Sequence, residues 1–414
     1  MSFPLLPVFE SRPYKLHNKV QNYPWGSKND AAYIPSLLGI TTKPNTPYAE
    51  LWIGAHPKAP SAIEIDNKAI SLDKLIDEFP VECLGKNTAK KFSNKLPFLL
   101  KVLSAESVLS IQTHPNKMQA EKLHKKDPVN YPDTNHKPEI AIAIDNLTAI
   151  VGFKPVKEII STLKSMPELI EFIGAEFIEK VFSVKEKKKQ EKLIRSIYSA
   201  ILMKSGDTKK LEECINRLLD RFTNKDIPTL EEVYFLNYHK KFGNDIGLLS
   251  FFFFNLVQLE SGQAIFTGAG TPHAYINGNI VECMANSDNV VRAGLTNKYK
   301  DIDTLVEILD YKFGKQEIIN LKQRKDEIIY LTTADEFEVS AFHKMENFRK
   351  KDYTNDRPVI ILILEGMLQV EWKSRKSIET QQFKKGESFF IPASINQYSL
   401  SSEVEVKYFQ VNIP

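Results

Sequence analysis

GQAIFTGAGTPHAYIN, residues 262–277, is the segment from which the architecture can be worked out. Gly262 is followed, after five intervening residues, by Gly268, then by Gly270, His273 and Asn277. An apolar run from Gln263 to Thr267 enters a glycine-rich turn, and the next strand opens on an imidazole. The layout recurs downstream: Gly386 precedes Pro392 by the same interval, and Ser394 and Gln397 follow. Here the apolar run is Glu387 to Ile391, and an amide stands where the first copy has its imidazole. Small antiparallel barrels repeat themselves in this way.

The first copy is similar to the second cupin motif, departing from it only by Gly268 where proline is usual. That resemblance implies two cupin-type barrels, the second of them metal-free because Gln397 replaces a ligating histidine. Two upstream strands complete a candidate centre. In LSIQTHP, residues 109–115, alternation puts Ser110, Gln112 and His114 on one face and Ile111 on the other. In KPEIAIAI, residues 137–144, Glu139, Ala141 and Ala143 share a face and three isoleucines take the opposite one. A lone carboxylate on a small-residue inner face needs a cation or a tight hydrogen-bond partner. With His273, the set Gln112, His114, Glu139 and His273 suits a divalent metal. Two imidazoles and a carboxylate suit zinc, but iron and manganese accept similar donors, so ligand type alone does not select the metal. His17, His56, His124, His239 and His343 are read as structural.

Between the two glycine motifs and these strands the pattern changes. Leu193, Ile194, Ile197, Tyr198, Ile201 and Leu202 recur at helical spacing, which predicts a helical block over about 155–250. The neighbouring Lys187, Lys188 and Lys189 are flanked by Glu186 and Glu191 and read as a solvated face. The expected fold is mainly β with an α-helical insertion: two cupin-type antiparallel β-barrels (jelly rolls) plus a helical domain. Residues 1–154 and 250–320 form the catalytic cupin domain, 155–249 the helical insertion, and 321–414 the C-terminal metal-free cupin domain.

Composition agrees with a folded multidomain chain. The 414 residues exceed one ordinary core. Apolar and charged contents of 42% and 26% are ordinary, and a net charge of +3 gives nucleic-acid binding no support. Cys83, Cys214 and Cys283 show no C-x-x-C spacing, which points to a reducing cytoplasm rather than a disulfide framework. Pro4 and Pro7 interrupt the only apolar stretch at the start, so no signal peptide is expected. The run from Ile246 to Val257 is too short for a membrane span and reads as core.

Five further segments carry a more specific resemblance: QNYPWG at 21–26, YAELWIGAHPKAPS at 48–61, LPFLLKVLSAESVLSIQTHP at 96–115, NHKPEIAIAI at 135–144 and PHAYINGNIVECMANSDNVVRAGLTNKYKD at 272–301. Long, dispersed and in order, they are similar to the type I mannose-6-phosphate isomerases. The resemblance implies one Zn2+ per chain on Gln112, His114, Glu139 and His273, and Arg292 as an active-site residue. It further implies a small sugar-phosphate substrate, an aldose–ketose isomerisation through a metal-stabilised enediolate, and a place in carbohydrate metabolism leading to GDP-mannose. A cytoplasmic monomer is expected.

Such a reaction needs groups that move protons, and His136, Lys137 and Glu282 are the candidates. Lys137 shares the face of Glu139 provided Pro138 does not bend the strand, and a nearby metal would lower its pKa toward neutrality. Arg292 cannot act as a base and would hold negative charge. Lys101, Ser110 and Lys298 are candidate phosphate donors, and Trp25 and Tyr275 candidate pocket walls. No Rossmann fingerprint, P-loop or G-x-S-x-G elbow occurs. A cupin dioxygenase and a sugar-phosphate binding protein without turnover are the rival readings.

Overall fold

A computed structural model of the chain describes residues 9–174, 187–319, 321–374 and 377–414. Pro4, Pro7, Glu186 and the side chain of Lys187 lie outside the described residues. Helix is nearly as abundant as strand, so the fold is mixed rather than mainly β. The excess comes from helices such as Leu72–Glu78, Lys117–Lys126 and Ile302–Ile308, which sit between strands. They are two or three turns long, too short for a 3.6-residue period to stand out in the sequence.

The sheet that matters most has ten strands: β1 (Lys19–Gln21), β2 (Glu50–Gly54), β3 (Phe98–Ala105), β4 (Ile111–Thr113), β5 (Glu139–Ala143), β6 (Leu147–Phe153), β7 (Phe254–Leu259), β8 (Ala264–Thr267), β9 (His273–Ala285) and β10 (Val291–Gly294). Its main path runs β7-β6-β9-β3-β2-β1, with β5 bridging β8 and β9, and β4 bridging β9 and β10. All these ladders are antiparallel. The thirteen-residue β9 is the hub, because it pairs with β3, β4, β5 and β6 along its length. Gly278 bends it at φ +127, where a Cβ would sit 2.4 Å from the Asn146 carbonyl oxygen.

Alternation sorts the two faces as read from KPEIAIAI. Ile140 and Ile142 join Leu100, Val102, Val281 and Cys283 in the core between this sheet and the C-terminal one. Ala141 and Ala143 face the opposite way with Leu103, Tyr275 and Ile280. The second large sheet has seven strands and stacks on a four-stranded sheet around Phe342, Ile361, Leu368, Val370, Tyr398 and Leu400. Tyr14–Leu16 pairs in it with Ser388–Ile391, so the start of the described chain is stitched to its end. Gly262 and Gly386, the paired glycines of the repeat, both turn with positive φ, +82 and +79. Antiparallel sheets are thus stacked in layers, and among the described residues neither large sheet closes into a barrel.

The helical block contains Val156–Ser165, Pro167–Ile173, Lys187–Met203, Thr208–Thr223 and Leu230–Phe242. The predicted stripe from Leu193 to Leu202 is buried, and its Tyr198 ring meets Phe153 of β6 at 5.2 Å. Ile246–Phe252 forms a wholly buried 3-10 helix, as its apolar run required. Among the described residues no helix is long and apolar enough to cross a membrane.

Candidate metal centre and active site

Three strands bring the candidate ligands together. Glu139 opens β5, His273 opens β9, and His114 follows β4 by one residue. Glu139 Oε2 lies 3.3 Å from His114 Nε2 and 3.2 Å from His273 Nε2, and all three side chains are at most 2% exposed. Each imidazole turns its other nitrogen to a backbone carbonyl: His114 Nδ1 to Asn289 at 2.8 Å and His273 Nδ1 to Thr271 at 3.0 Å. A carbonyl accepts only, so both Nδ1 atoms carry the proton. Burial pushes His114 down to about 4, against the pull of Glu139, so near neutrality its only proton is the one on Nδ1. With Nδ1 carrying the proton of a neutral ring, each Nε2 presents its lone pair to the same carboxylate oxygen, and none of the three atoms has a hydrogen-bond partner. Such an arrangement is repulsive alone and fits a divalent cation.

Register places a fourth candidate on the same face. Gln112 of β4 stands opposite His273 of β9 on one side and Arg292 of β10 on the other. Directly opposed residues share a face, so Arg292, Gln112 and His273 form one row across three strands. Arg292 Nε is buried without a partner. Ser110 Oγ lies 3.5 Å from Gln112 Oε1.

Beside the ligands, Pro138 does not turn Lys137 away, because Lys137 Nζ reaches Glu139 Oε1 at 3.1 Å. Burial would raise the Glu139 carboxyl, but the Lys137 ammonium beside it holds it well below the ordinary carboxylate range. Next comes a buried row, Trp52 of β2, Lys101 of β3 and Glu282 of β9, aligned by the ladders. Lys101 Nζ lies 3.1 Å from Glu282 Oε2 and 3.5 Å from Glu50 Oε2. Burial would lower Lys101, yet Glu50, Glu282 and Glu139 outweigh it and hold the ammonium above the usual lysine range. Burial raises Glu282, and Lys101 only partly offsets that. The Tyr275 hydroxyl is buried beside Glu282 without a hydrogen-bond partner, its pKa driven well above normal by burial first and Glu282 second.

Other candidates lie elsewhere. The His136 ring is turned to Glu336 Oε1, 2.7 Å away, because it alternates with Lys137 across the strand entrance; the structure does not bring it to the cluster. Lys101 is enclosed by two carboxylates rather than offered to a phosphate, a consequence of its central position in a fully buried strand. Lys298 is exposed over the Tyr23 ring at 5.5 Å, and partial burial followed by the Arg292 charge lowers its pKa. Trp25 stacks on Tyr23 at 6.0 Å and packs on the small-residue core of the sheet.

Residues 14–156 match the family model of the phosphomannose isomerase type I catalytic domain. Mannose-6-phosphate isomerase 2 of Arabidopsis thaliana is 35% identical over 411 residues, spanning 95% of this chain and 92% of that protein. The chain belongs to the type I phosphomannose isomerase family. Mannose-6-phosphate isomerase of Mus musculus is 42% identical over 72% of this chain and 73% of its own length. Among solved structures, a phosphomannose isomerase mutant from Salmonella typhimurium superimposes with TM-score 0.83 at 30% identity, covering 97% and 99% of the two chains. A zinc-bound mannose 6-phosphate isomerase gives TM-score 0.81 at 30% identity over the same shares.

Glu50, which the sequence reading passed over, and His56 are two further buried polar groups of this phosphomannose isomerase, both around Trp52. Glu50 accepts from the Trp52 indole at 2.5 Å as well as facing Lys101. Its signal was the one used for Glu139, a carboxylate inside an apolar strand. His56, read as structural, lies 3.5 Å from Asp288 with its ring edge on Trp52 at 4.7 Å, and burial pushes it down to about 4.

Proposed function

We propose that this chain interconverts mannose 6-phosphate and fructose 6-phosphate as a zinc-dependent aldose–ketose isomerase. The observation that carries the reading is the buried convergence of His114, Glu139 and His273 with unpartnered donor atoms, in a chain whose zinc-bound relative matches it over nearly its whole length. His114, Glu139 and His273, with Gln112 beside them, would hold the ion. Zinc, when bound, supplies Lewis-acid polarisation of substrate oxygens.

The chain's own groups then divide the remaining work. Isomerisation takes a proton from C2 of the open-chain sugar and returns one to C1 through an enediolate. Glu282 is suited to proton carriage at its carboxyl oxygens, since burial raises its pKa and Tyr275 and Lys101 flank it. Lys137 stands on the ligand side of the same face and is the second candidate for that transfer. Arg292 stays cationic and holds the negative charge of the enediolate or the phosphate. Lys298, at the exposed rim near Arg292, is placed to meet the phosphate, with Ser110, Trp25 and Tyr275 along the wall.

The same reading carries a division into a catalytic cupin barrel of residues 1–154 and 250–320, a helical insertion of 155–249 and a metal-free second cupin barrel of 321–414. The turn geometry shared by Gly262 and Gly386 supports the two-barrel part. A monomeric chain in a reducing cytoplasm completes it, supported by Cys83, Cys214 and Cys283, all free and buried.

The test is a coupled assay for fructose 6-phosphate formed from mannose 6-phosphate, before and after chelation and zinc add-back, with His273→Ala alongside. Activity lost with chelator, restored by zinc and absent from the variant is expected. Metal-replete wild-type protein without turnover would sink the proposal.

A further inference from the structure

We infer that Asp133 is a positioning residue for the metal centre, acting through the backbone carbonyl that sets the His114 tautomer. The inference rests on the zinc reading above and adds a residue that touches neither the ion nor the substrate.

Asp133 lies in the loop between the helix Lys117–Lys126 and β5. Its Oδ1 accepts the backbone N–H of Asn135 at 2.8 Å, the hydroxyl of Ser287 at 2.8 Å and the side-chain amide of Asn289 at 3.1 Å. Its Oδ2 accepts the backbone N–H of Asp288 at 2.7 Å. Among the described residues no cation pairs with this carboxylate, so four uncharged donors meet its charge. The Asn289 amide also donates to the carbonyls of Asp133 at 2.7 Å and Asn135 at 2.9 Å. Two loops are thereby knotted: the one leading to Lys137 and Glu139, and the one joining β9 to β10.

The knot has a definite output. Asn289 is fully buried, and its carbonyl oxygen is the acceptor for His114 Nδ1–H. If that carbonyl moves, the imidazole proton is free to occupy Nε2, where it would face Glu139 and oppose a cation. Only an acceptor-only side chain serves here, because all four neighbours are donors. Asparagine would turn an N–H2 against one of them while keeping size and shape. Arg292 follows Asn289 by three residues, so loosening the knot reaches the charged end of the row as well.

The test measures zinc affinity of the full chain by competition with a chromogenic chelator, for wild type, Asp133→Asn, Asp133→Ala and Ser287→Ala. Circular dichroism and thermal melting of the metal-free forms accompany it. Leu218→Ala, on the helix Thr208–Thr223 that packs against Pro167–Ile173 and Leu230–Phe242, is the control for general destabilisation. Asp133→Asn should weaken zinc about 10- to 100-fold, the range for groups that orient ligating imidazoles. Ser287→Ala should weaken it less, and Leu218→Ala should leave it unchanged. Folded Asp133→Asn with wild-type zinc affinity overturns the inference, as does an equal loss in Leu218→Ala. Should both Asp133 variants fail to fold, Ser287→Ala decides: wild-type affinity there overturns it, and a clear loss supports it. Failure of wild-type protein to bind zinc would instead refute the zinc reading.

Discussion

Replacing Lys101 by methionine probes the most heavily charged part of the interior. Its ammonium is 3.1 Å from Glu282 and 3.5 Å from Glu50, with the three side chains 7%, 4% and 10% exposed. At an effective dielectric of about 20, each contact is worth about 5 kcal/mol of Coulomb energy. Desolvating each ion costs several kcal/mol, so the intact cluster contributes little net stability. Lys101→Met removes the attraction and leaves two carboxylates buried, a loss of about 3–5 kcal/mol. That is a large share of a typical 5–15 kcal/mol total. The loss should also depend on pH. A carboxyl whose folded pKa is raised binds its proton more tightly when folded; its stabilising effect is present at low pH and lost as pH rises through the folded value. Glu282 is already raised, and without Lys101 it rises further. Zinc-loaded Lys101→Met should therefore lose more stability at about pH 8 than at about pH 5. Lys101→Met/Glu282→Gln, with one stranded charge fewer, should recover part of the deficit. Urea unfolding followed by tryptophan fluorescence reads this directly, since Lys101 lies over the Trp52 ring at 5.4 Å. A deficit under about 1 kcal/mol, the value of an exposed pair, equal at both pH values and unrelieved in the double variant, would refute the reasoning.

Two other outcomes follow from the geometry. A Cβ on Gly294 would lie 2.5 Å from Gly247 Cα and 2.6 Å from Asp245 Oδ1, so Gly294→Ala must displace the end of β10 that carries Arg292. Turnover of mannose 6-phosphate should fall about 100-fold, as for a misplacement near 1 Å, while zinc content holds; activity within a few-fold of wild type would show that the strand end absorbs the methyl. In acid, His56 and His114, both pushed down to about 4 by burial, bind fewer protons folded than unfolded. Their contribution is intact above the unfolded value of about 6.5 and is lost as pH falls toward 4, up to about 3 kcal/mol each. The urea midpoint of metal-free protein should drop across that window, and His56→Gln should flatten the slope; a midpoint constant between neutral pH and about 4.5 would contradict the burial assigned to both rings.

Much of this architecture is legible in local patterns. Alternation in KPEIAIAI put Glu139 on the small-residue face and the isoleucines in the core, and the structure keeps both assignments. The helical stripe from Leu193 to Leu202 is likewise a short-range signal. Short helices were missed because two turns do not display a period, and that left the helical share too low.

The direction each side chain takes along its own strand or helix is a local property, because it follows from residues two to four positions away. Which faces then meet was decided only by the tertiary structure. Arg292, Gln112 and His273 form a row because β4 pairs with both β9 and β10. Lys101 stands between Glu50 and Glu282 because β3 lies between β2 and β9. His136 goes to Glu336 while Lys137, its neighbour in the chain, goes to Glu139. Asp133 receives three of its four donors from Ser287, Asp288 and Asn289, a loop distant in sequence. Strand register between distant segments is a property of the whole packed sheet, and no local pattern carries it.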